Sequence, residues 1–254
     1  GAFAPVDIYP LQEQARRGEL GLDKAAYRDQ LAGLMSRFAE VAARNPYAMF
    51  EAPATLEAIR DESQKNRMIS DPHLKSMVAK DGVNQAAALV MTRYETAESL
   101  GVADRAIFLH GHATGSEPAV LNRPSLAQAE SMTAAYHGAL RNAGIEAHQL
   151  GAMDLYSCFP IAVWCAMDAL GVTLDDPRPL TLTGGLSFFG GPGNNYSTHG
   201  IAEMVHWLRA RSEPSYGLVG ANGGYLSKHA VGVYANVSSP FPEPVSEPGP
   251  ATPV

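Results

Sequence analysis

The side chains best suited to chemistry fall in three short stretches of the later half of the chain. The first, Asp154-Leu155-Tyr156-Ser157-Cys158-Phe159, sets a phenol, a hydroxyl and a thiol directly ahead of an apolar run. The second is a glycine loop: Gly184 and Gly185, then Gly190, Gly191, Pro192 and Gly193, followed by Asn194, Asn195, Tyr196 and His199. The third, Gly220-Ala221-Asn222-Gly223-Gly224, leads into Tyr225, Lys228 and His229. A glycine loop that feeds a helix leaves backbone N–H groups pointing outwards, where they suit an anion or a carbonyl oxygen. A tight turn with Ser197 or Thr198 as N-cap accounts for the same residues. Cys158 at a helix start has a setting in which a thiol pKa falls; a small core residue is the alternative. His199 in a first helical turn is disfavoured as a cation, because that end of the helix dipole is positive, so a neutral imidazole is expected. Single histidines are more often structural than catalytic, but their clustering at three loops argues for a site.

These stretches need elements to hold them, and the pattern supplies candidates. Residues 11–44 read as helices, with Leu31, Leu34, Met35, Phe38 and Val41 on one apolar stripe and Asn45-Pro46 as the stop. A short helical patch at 56–61 follows, then a polar connection. Lys75 and Lys80 read as solvated surface lysines, with phosphate contacts as the alternative. From residue 83 strands and helices alternate, which means a layered α/β arrangement. Buried strands are expected at 86–91, 106–110, 148–153, 180–183, 216–221 and 229–234. Helices are expected at 95–100, closed by Gly101, and at 125–142, ended by Gly144. Another follows Pro160, which suits a first turn. Ile201, Met204, Val205 and Leu208 form one face of the helix after the glycine loop. His110 and His112 would share a strand face, but no further ligand follows at metal spacing, so a polar pair is expected and no metal.

Composition narrows the function classes. The 254 residues are 46% hydrophobic and 18% charged, the balance of a globular protein, and a net charge of −7 without a basic run argues against nucleic acid. No apolar run approaches the roughly 20 residues of a membrane span. The start lacks a signal-peptide layout and an initiator Met, so a processed start and a cytoplasmic protein are expected. Cys158 and Cys165 on one helix would stand about 10 Å apart by rise, too far for a disulfide, which fits reduced thiols. The stretch 236–254, rich in Pro, Ser and Glu, reads as a flexible tail.

The order of the three stretches resembles the C-terminal half of the thiolase superfamily. There an N-E-A-F or H-D-C-F element, a G-G…G-H-P-x-G loop and a late C-x-G-G turn meet at the acyl-CoA site. The likeness is greatest to thiolase-like acetyl-CoA acetyltransferases of actinobacteria and related bacteria, and it covers about residues 9–234. It implies an α/β thiolase-like layered fold: a mixed sheet of about five strands covered by helices, preceded by a helical loop region that lies over coenzyme A. The corresponding divisions are 1–82, the loop region, and 83–235, the α/β domain. The family's duplicated fold is represented here by its second half.

Carried over residue by residue, the resemblance leaves the family's usual side chains without counterparts. The loop histidine position reads Gly191, the late cysteine position reads Ala221, and the N-E-A-F asparagine position reads Tyr156. The nucleophilic cysteine belongs to the half not represented. The polar groups at the same motifs are then the candidates: Tyr156, Cys158, His199 and His229 for catalysis. Gly190, Gly191, Asn194, Asn195, Tyr196, Asn222, Gly223 and Gly224 would line the thioester pocket, with free backbone N–H groups at 190–195. Three activities follow. One is acyl transfer on acyl-CoA in lipid metabolism, with the nucleophile supplied elsewhere. Another is retro-aldol cleavage of a β-hydroxyacyl-CoA, with Tyr156 or Tyr225 as acid/base. The third is acyl-CoA binding or assembly without catalysis. Coenzyme A enters as substrate and no other cofactor is implied. A homo-oligomer, by resemblance a dimer, or a complementary thiolase-half subunit is expected, since a lone half would expose an apolar face.

Overall fold

The computed structural model describes residues 4–50 and 52–238. Two helices open it, α1 (Pro5–Glu19) and α2 (Lys24–Ala42). Asp23 caps α2 by accepting the Ala26 N–H at 2.8 Å. The stripe expected on this helix is its buried face: Leu31, Leu34, Met35 and Phe38 are inaccessible, and Val41 is half-buried. The chain turns at Asn45, whose carbonyl accepts the Ala48 N–H, and a short helix α3 (Leu56–Arg60) follows. Strands β1 (Met68–Ser70) and β2 (His73–Leu74) make a small antiparallel pair.

Among the described residues the main sheet has four strands rather than about five, in the order β3-β6-β5-β4. They are β3 (Phe108–Ser116), β4 (Leu150–Asp154), β5 (Tyr216–Gly223) and β6 (Lys228–Ala235). The first three in that order are antiparallel, and β4 runs parallel to β5. Successive residues of a strand face opposite ways, and the two faces are sorted accordingly. Met153 and Leu218 join the large core with helices α5 (Glu130–Ala143) and α6 (Pro160–Leu170), where α2 also packs. Ala152 and Val219 face the other way, onto Met204 and Leu208 of α7 (Tyr196–Arg209). Burial on both faces matches the parallel β4–β5 pairing. Pro160 stands at the first position of α6, and ten of the helix's residues are buried.

Several boundaries differ from the sequence expectation, each for a physical reason. Residues 86–91 join no sheet. Val90 and Met91 are 97% and 75% exposed, and where the segment meets the glycine loop it is a side chain that bonds it, Asn195 Nδ2 to Ala87 O, with no strand edge on offer. Residues 180–183 run beside β4 for two bonds, from Met153 N to Pro179 O and from Leu155 N to Leu180 O. The N–H groups of Leu182 and Thr183 then turn to a carboxylate, so no fifth strand forms. Helix α5 begins at Glu130 rather than 125, because the Glu117 carboxylate accepts the N–H groups of Ser131 and Met132 and fixes the start there. Tyr94–Ser99 forms the short helix α4, closed by Gly101 at φ +68 as expected.

A register shift near Leu109 separates His110 from His112. His110 is buried with its Nε2 on the Val237 carbonyl, and His112 is exposed. Among the described residues no group of three His, Cys, Asp or Glu side chains gathers as metal ligands. No helix there is long and apolar enough to cross a membrane. Of the expected tail, residues 239–254 lie outside the described residues. Asn236 is held in place: its side-chain amide donates to Arg211 and Glu213 carbonyls at 3.2 and 3.0 Å.

The Phe38 ring is inaccessible, and it touches the glycine loop at Gly185. Phe38→Ala is expected to lower unfolding free energy by about 3–5 kcal/mol, whereas Leu121→Ala, at a side chain 96% exposed, should change it by less than about 0.5 kcal/mol. Urea titration of both proteins checks this contrast.

Candidate functional site

The site begins at the end of β4, where Asp154 is inaccessible to solvent. Its Oδ2 accepts four hydrogen bonds, from Thr181 Oγ1 and Thr183 Oγ1 at 3.0 Å each, Leu182 N at 2.8 Å and Thr183 N at 3.0 Å. Burial pushes this carboxyl above the ordinary range, and the four donors oppose that rise. The same threonines receive the next turn. Gly184 N donates to Thr181 Oγ1, and Gly185 N donates to Thr183 Oγ1. Leu186 N donates to Ser157 Oγ at 3.0 Å. The first and second motif stretches are thus tied together through side-chain oxygens.

Tyr196, at the start of α7, closes this network with its hydroxyl 2.7 Å from Thr183 Oγ1. It is 1% exposed, and burial holds its pKa well above the ordinary phenol value. Its ring meets Tyr156 edge-on at 5.4 Å and Phe189 at 6.3 Å. Tyr156, Cys158, Tyr196, Leu186 and Phe189 therefore share one small apolar cluster. Tyr156 is half-buried, and burial, with the neighbouring Cys158, raises its hydroxyl to about 12.

Cys158 does not have the lowered pKa expected of a thiol at a helix start. Helix α6 begins only at Pro160, which has no N–H, and the next one, of Ile161, donates to Glu13 Oε2 at 3.0 Å. Burial instead pushes the thiol up to about 11, against lowering contributions from Tyr9, Asn222 and the backbone N–H groups of Phe159 and Cys158. Asn222 Nδ2 lies 3.5 Å from Cys158 Sγ and 3.0 Å from the Tyr9 hydroxyl. That hydroxyl also accepts Leu226 N at 2.9 Å and donates to Gly224 O at 3.0 Å. The third motif stretch, Asn222, Gly223 and Gly224, is therefore held against Cys158 by a tyrosine from α1. The Tyr9 ring stacks on Phe159 at 4.3 Å.

The glycine loop is covered by its own chain. Gly191 N donates to Lys80 O at 2.7 Å, Lys80 N donates to Leu186 O at 3.0 Å, and Gln85 Nε2 donates to Phe189 O at 2.9 Å. The expected free N–H groups of 190–195 are largely committed: Gly193 N is taken by Gly191 O and Asn195 N by Pro192 O. A Cβ on Gly190, at φ +126, would stand 2.7 Å from the Gln85 side chain, and one on Gly191 would stand 3.2 Å from Lys80 O. Lys80 is no solvated surface lysine. It is half-buried with its ammonium on the Lys75 and Val78 carbonyls, and desolvation, with Lys75 nearby, lowers it to about 8. Asn194 is exposed, and Asn195 turns its amide to Ala87 O at 3.4 Å. Asn195 also occupies the N-cap of α7, in place of Ser197 or Thr198, without a side-chain cap bond.

His199 is buried to 8% exposure, packs edge-on to Phe189 at 5.2 Å, and has no partner on Nε2. Desolvation lowers its pKa, in line with the neutral imidazole expected. His229 lies directly across the β5–β6 ladder from Asn222 and is 3% exposed. Its Nε2 is 3.7 Å from Glu117 Oε1. Burial and the Arg123 charge nevertheless bring its pKa down to about 4, since that Glu117 oxygen is committed to the first N–H groups of α5.

Sequence reasoning quoted Asp154 without a role and missed Tyr9, Glu13 and His73. Glu13 is inaccessible, with the Tyr27 hydroxyl at 2.6 Å and His73 Nε2 at 2.9 Å. The available signal was three polar side chains, Tyr9, Gln12 and Glu13, at one-turn spacing on the inner face of a helix. A groove of about 410 Å³ between α1, α5 and α6, lined by Arg16, Glu19, Cys165 and Asp168 among others, includes none of the expected site residues.

The lowered pKa of His229 makes stability depend on pH. A histidine whose folded pKa lies below its ordinary 6.5 contributes stability above pH 6.5, and that contribution is lost as pH falls towards 4. The loss should reach roughly 3 kcal/mol. Urea titrations at pH 7.5 and pH 4 should show this fall in the natural protein and a smaller one in His229→Gln; equal slopes in the two proteins would contradict the assignment.

The chain superposes over 94% of its length on a monomeric SCP2-thiolase-like protein type 1 from Mycobacterium smegmatis, with a TM-score of 0.90 and 45% sequence identity. The match covers 53% of that protein, so the chain spans about half of its length. A second solved structure, an Ltp2-ChsH2(DUF35) aldolase, matches at a TM-score of 0.68 and 18% identity, over 93% of this chain and 65% of the other. At that identity the likeness is one of fold alone. No protein-family model and no curated protein matches. An identity of 45% kept through nearly the whole superposition, on a sheet and motif order of this kind, places the chain in the thiolase superfamily.

Proposed function

We propose that this chain is the acyl-CoA-binding half of a thiolase-like acyltransferase of lipid metabolism, in which Cys158 serves as a neutral-thiol acid and not as the nucleophile. The observation that carries this reading is the Cys158 thiol itself, half-buried beside Tyr156, bonded by Asn222, and raised to about 11. A thiol in that range keeps its proton near neutral pH, so it can give a proton to a carbanion or to a leaving thiolate. It cannot serve as a standing thiolate nucleophile. The group that accepts the acyl chain then comes from outside this chain's match, either from a complementary half or from another subunit. Coenzyme A is substrate and product, and no further cofactor is invoked. A cytoplasmic setting keeps Cys158 and Cys165 reduced. Tyr196 and Phe189 form the apolar wall of the thioester site, and His199, neutral and unpartnered at Nε2, offers a hydrogen bond at its edge.

A second reading is favoured by Tyr156. Its hydroxyl is half-buried next to the thiol, the placement a retro-aldol step needs, and a phenol raised to about 12 is a strong base once it has lost its proton. In that step Tyr156, first deprotonated to the phenolate, takes the β-hydroxyl proton, the Cα–Cβ bond breaks, the electron pair passes to Cα, Cys158 gives its proton there, and the proton now on Tyr156 passes to the Cys158 thiolate, which restores both groups. The products are a ketone or aldehyde and a shortened acyl-CoA. The aldolase among the fold neighbours belongs to the same architecture.

The test uses the full-length protein with its natural partner half. Cys158→Ala is expected to bind acyl-CoA within about threefold of the natural protein by calorimetry and to release coenzyme A about 100-fold more slowly. Undiminished turnover in this variant, or no measurable acyl-CoA binding by the natural protein, would overturn the reading. Ketone release from a β-hydroxyacyl-CoA that collapses in Tyr156→Phe would select the second activity.

A further inference from the structure

We infer that Tyr9 is a positioning residue that sets the proton affinity of Cys158, acting from the first helix across most of the chain. The inference rests on the proton-donor reading of Cys158 above. The Tyr9 ring is 1% exposed and stacked on Phe159, the residue next to the cysteine, so its oxygen is fixed in place and only the O–H torsion stays free. That oxygen accepts two N–H groups, from Asn222 Nδ2 at 3.0 Å and Leu226 N at 2.9 Å. Its single proton is donated to the Gly224 carbonyl at 3.0 Å, and the Asn222 amide that donates to this oxygen also reaches the Cys158 sulfur at 3.5 Å.

While the sulfur carries its own proton, the Tyr9 proton satisfies the carbonyl. When the sulfur gives its proton away, the hydroxyl can turn to the thiolate, and Asn222 Nδ2 already donates to the same sulfur at 3.5 Å. A thiolate in an apolar cluster is costly unless donors meet it. Tyr9 and Asn222 join the backbone N–H groups of Phe159 and Cys158 as such donors, and together they make proton release by Cys158 possible without exposing it to water.

Two further observations point the same way. Leu226 holds a left-handed backbone, φ +56, which a branched side chain rarely adopts, and its N–H is held by the Tyr9 oxygen. The turn is therefore shaped to bring Gly224 and Asn222 to one phenol. Asn222 Oδ1 is buried without a partner while its amide nitrogen serves both Tyr9 and Cys158, leaving an acceptor beside the sulfur for a ligand donor. The titratable groups that bear on the thiol are Tyr9 from α1 and Tyr156 from its own segment.

The test reads the thiol directly. Alkylation of Cys158 by iodoacetamide is followed from pH 7 to 10 in the full-length protein carrying Cys165→Ala. Tyr9→Phe keeps the ring and its stacking and removes only the oxygen. Its alkylation rate is expected to fall about tenfold across this range, as for a titration moved up by about one pH unit. Asn222→Leu should shift the profile in the same direction, and it keeps the test decisive if Tyr9→Phe does not fold. Incorporation of 3-fluorotyrosine at position 9, a stronger donor of the same shape, should move the profile down, which a purely structural role would not do. Superimposable profiles for the natural and variant proteins, with folding confirmed by circular dichroism, overturn the inference. A shifted profile with unchanged acyl-CoA turnover upholds the Tyr9–Cys158 coupling and overturns the catalytic use of Cys158 instead.

Discussion

The Asp154 carboxylate is the constraint on which the arrangement depends. It lies where strand β4 gives out, and a buried carboxylate cannot be left without donors. The four that meet it come from three consecutive residues, Thr181, Leu182 and Thr183, so the backbone is forced to curl around one oxygen rather than continue alongside the strand. That curl aims the glycine loop at Ser157 and delivers Tyr196 to Thr183. The apolar cluster around Cys158 then follows from packing alone. Removing the charge would leave several donors orphaned at once, which explains why a polar hub of this kind behaves as a single unit.

A second constraint comes from the first helix. Helix α1 contributes Glu13 to the start of α6 and Tyr9 to the turn between β5 and β6. Residues more than two hundred positions apart are thus fixed relative to one another, and both points lie next to Cys158. The two sheet faces carry different loads. One is a broad core shared by α2, α5 and α6, while the other is a small cluster beneath α7. The motif loops meet at the edge between these layers, where irregular backbone can be satisfied by side chains.

Much of this was legible in the sequence. Periodicity located α2, α6 and α7, and β-type runs located β4, β5 and β6 to within two residues, because each buries a face whose pattern is set by its own geometry. The order of motifs pointed to the superfamily. What stayed hidden depended on partners far along the chain. The run at 86–91 has the composition of a buried strand, yet Val90 and Met91 stand exposed and Ala87 meets a side-chain amide. Residues 180–183 met a carboxylate where a strand edge was expected. Cys158 sits ahead of a helix in sequence, but burial outweighs the backbone N–H groups of Phe159 and Cys158 and keeps its thiol protonated. Tyr9 and His73 sat in stretches that read as ordinary helix and connection, since nothing local marks a polar group that will be satisfied from another layer.

The covered glycine loop has one more consequence. The Lys80 carbonyl occupies the Gly191 N–H in the way an external oxygen would, so the protein carries a tethered competitor for its own donor. A tethered group acts at an effective concentration set by the chain that holds it. Any ligand oxygen that uses this N–H first has to displace the segment around Lys80, and its apparent affinity is scaled down by the fraction of molecules in which that segment is lifted. Ligands that reach the cluster without touching Gly191 escape this handicap. Discrimination between the two kinds of ligand is therefore written into a backbone hydrogen bond, with no side chain taking part.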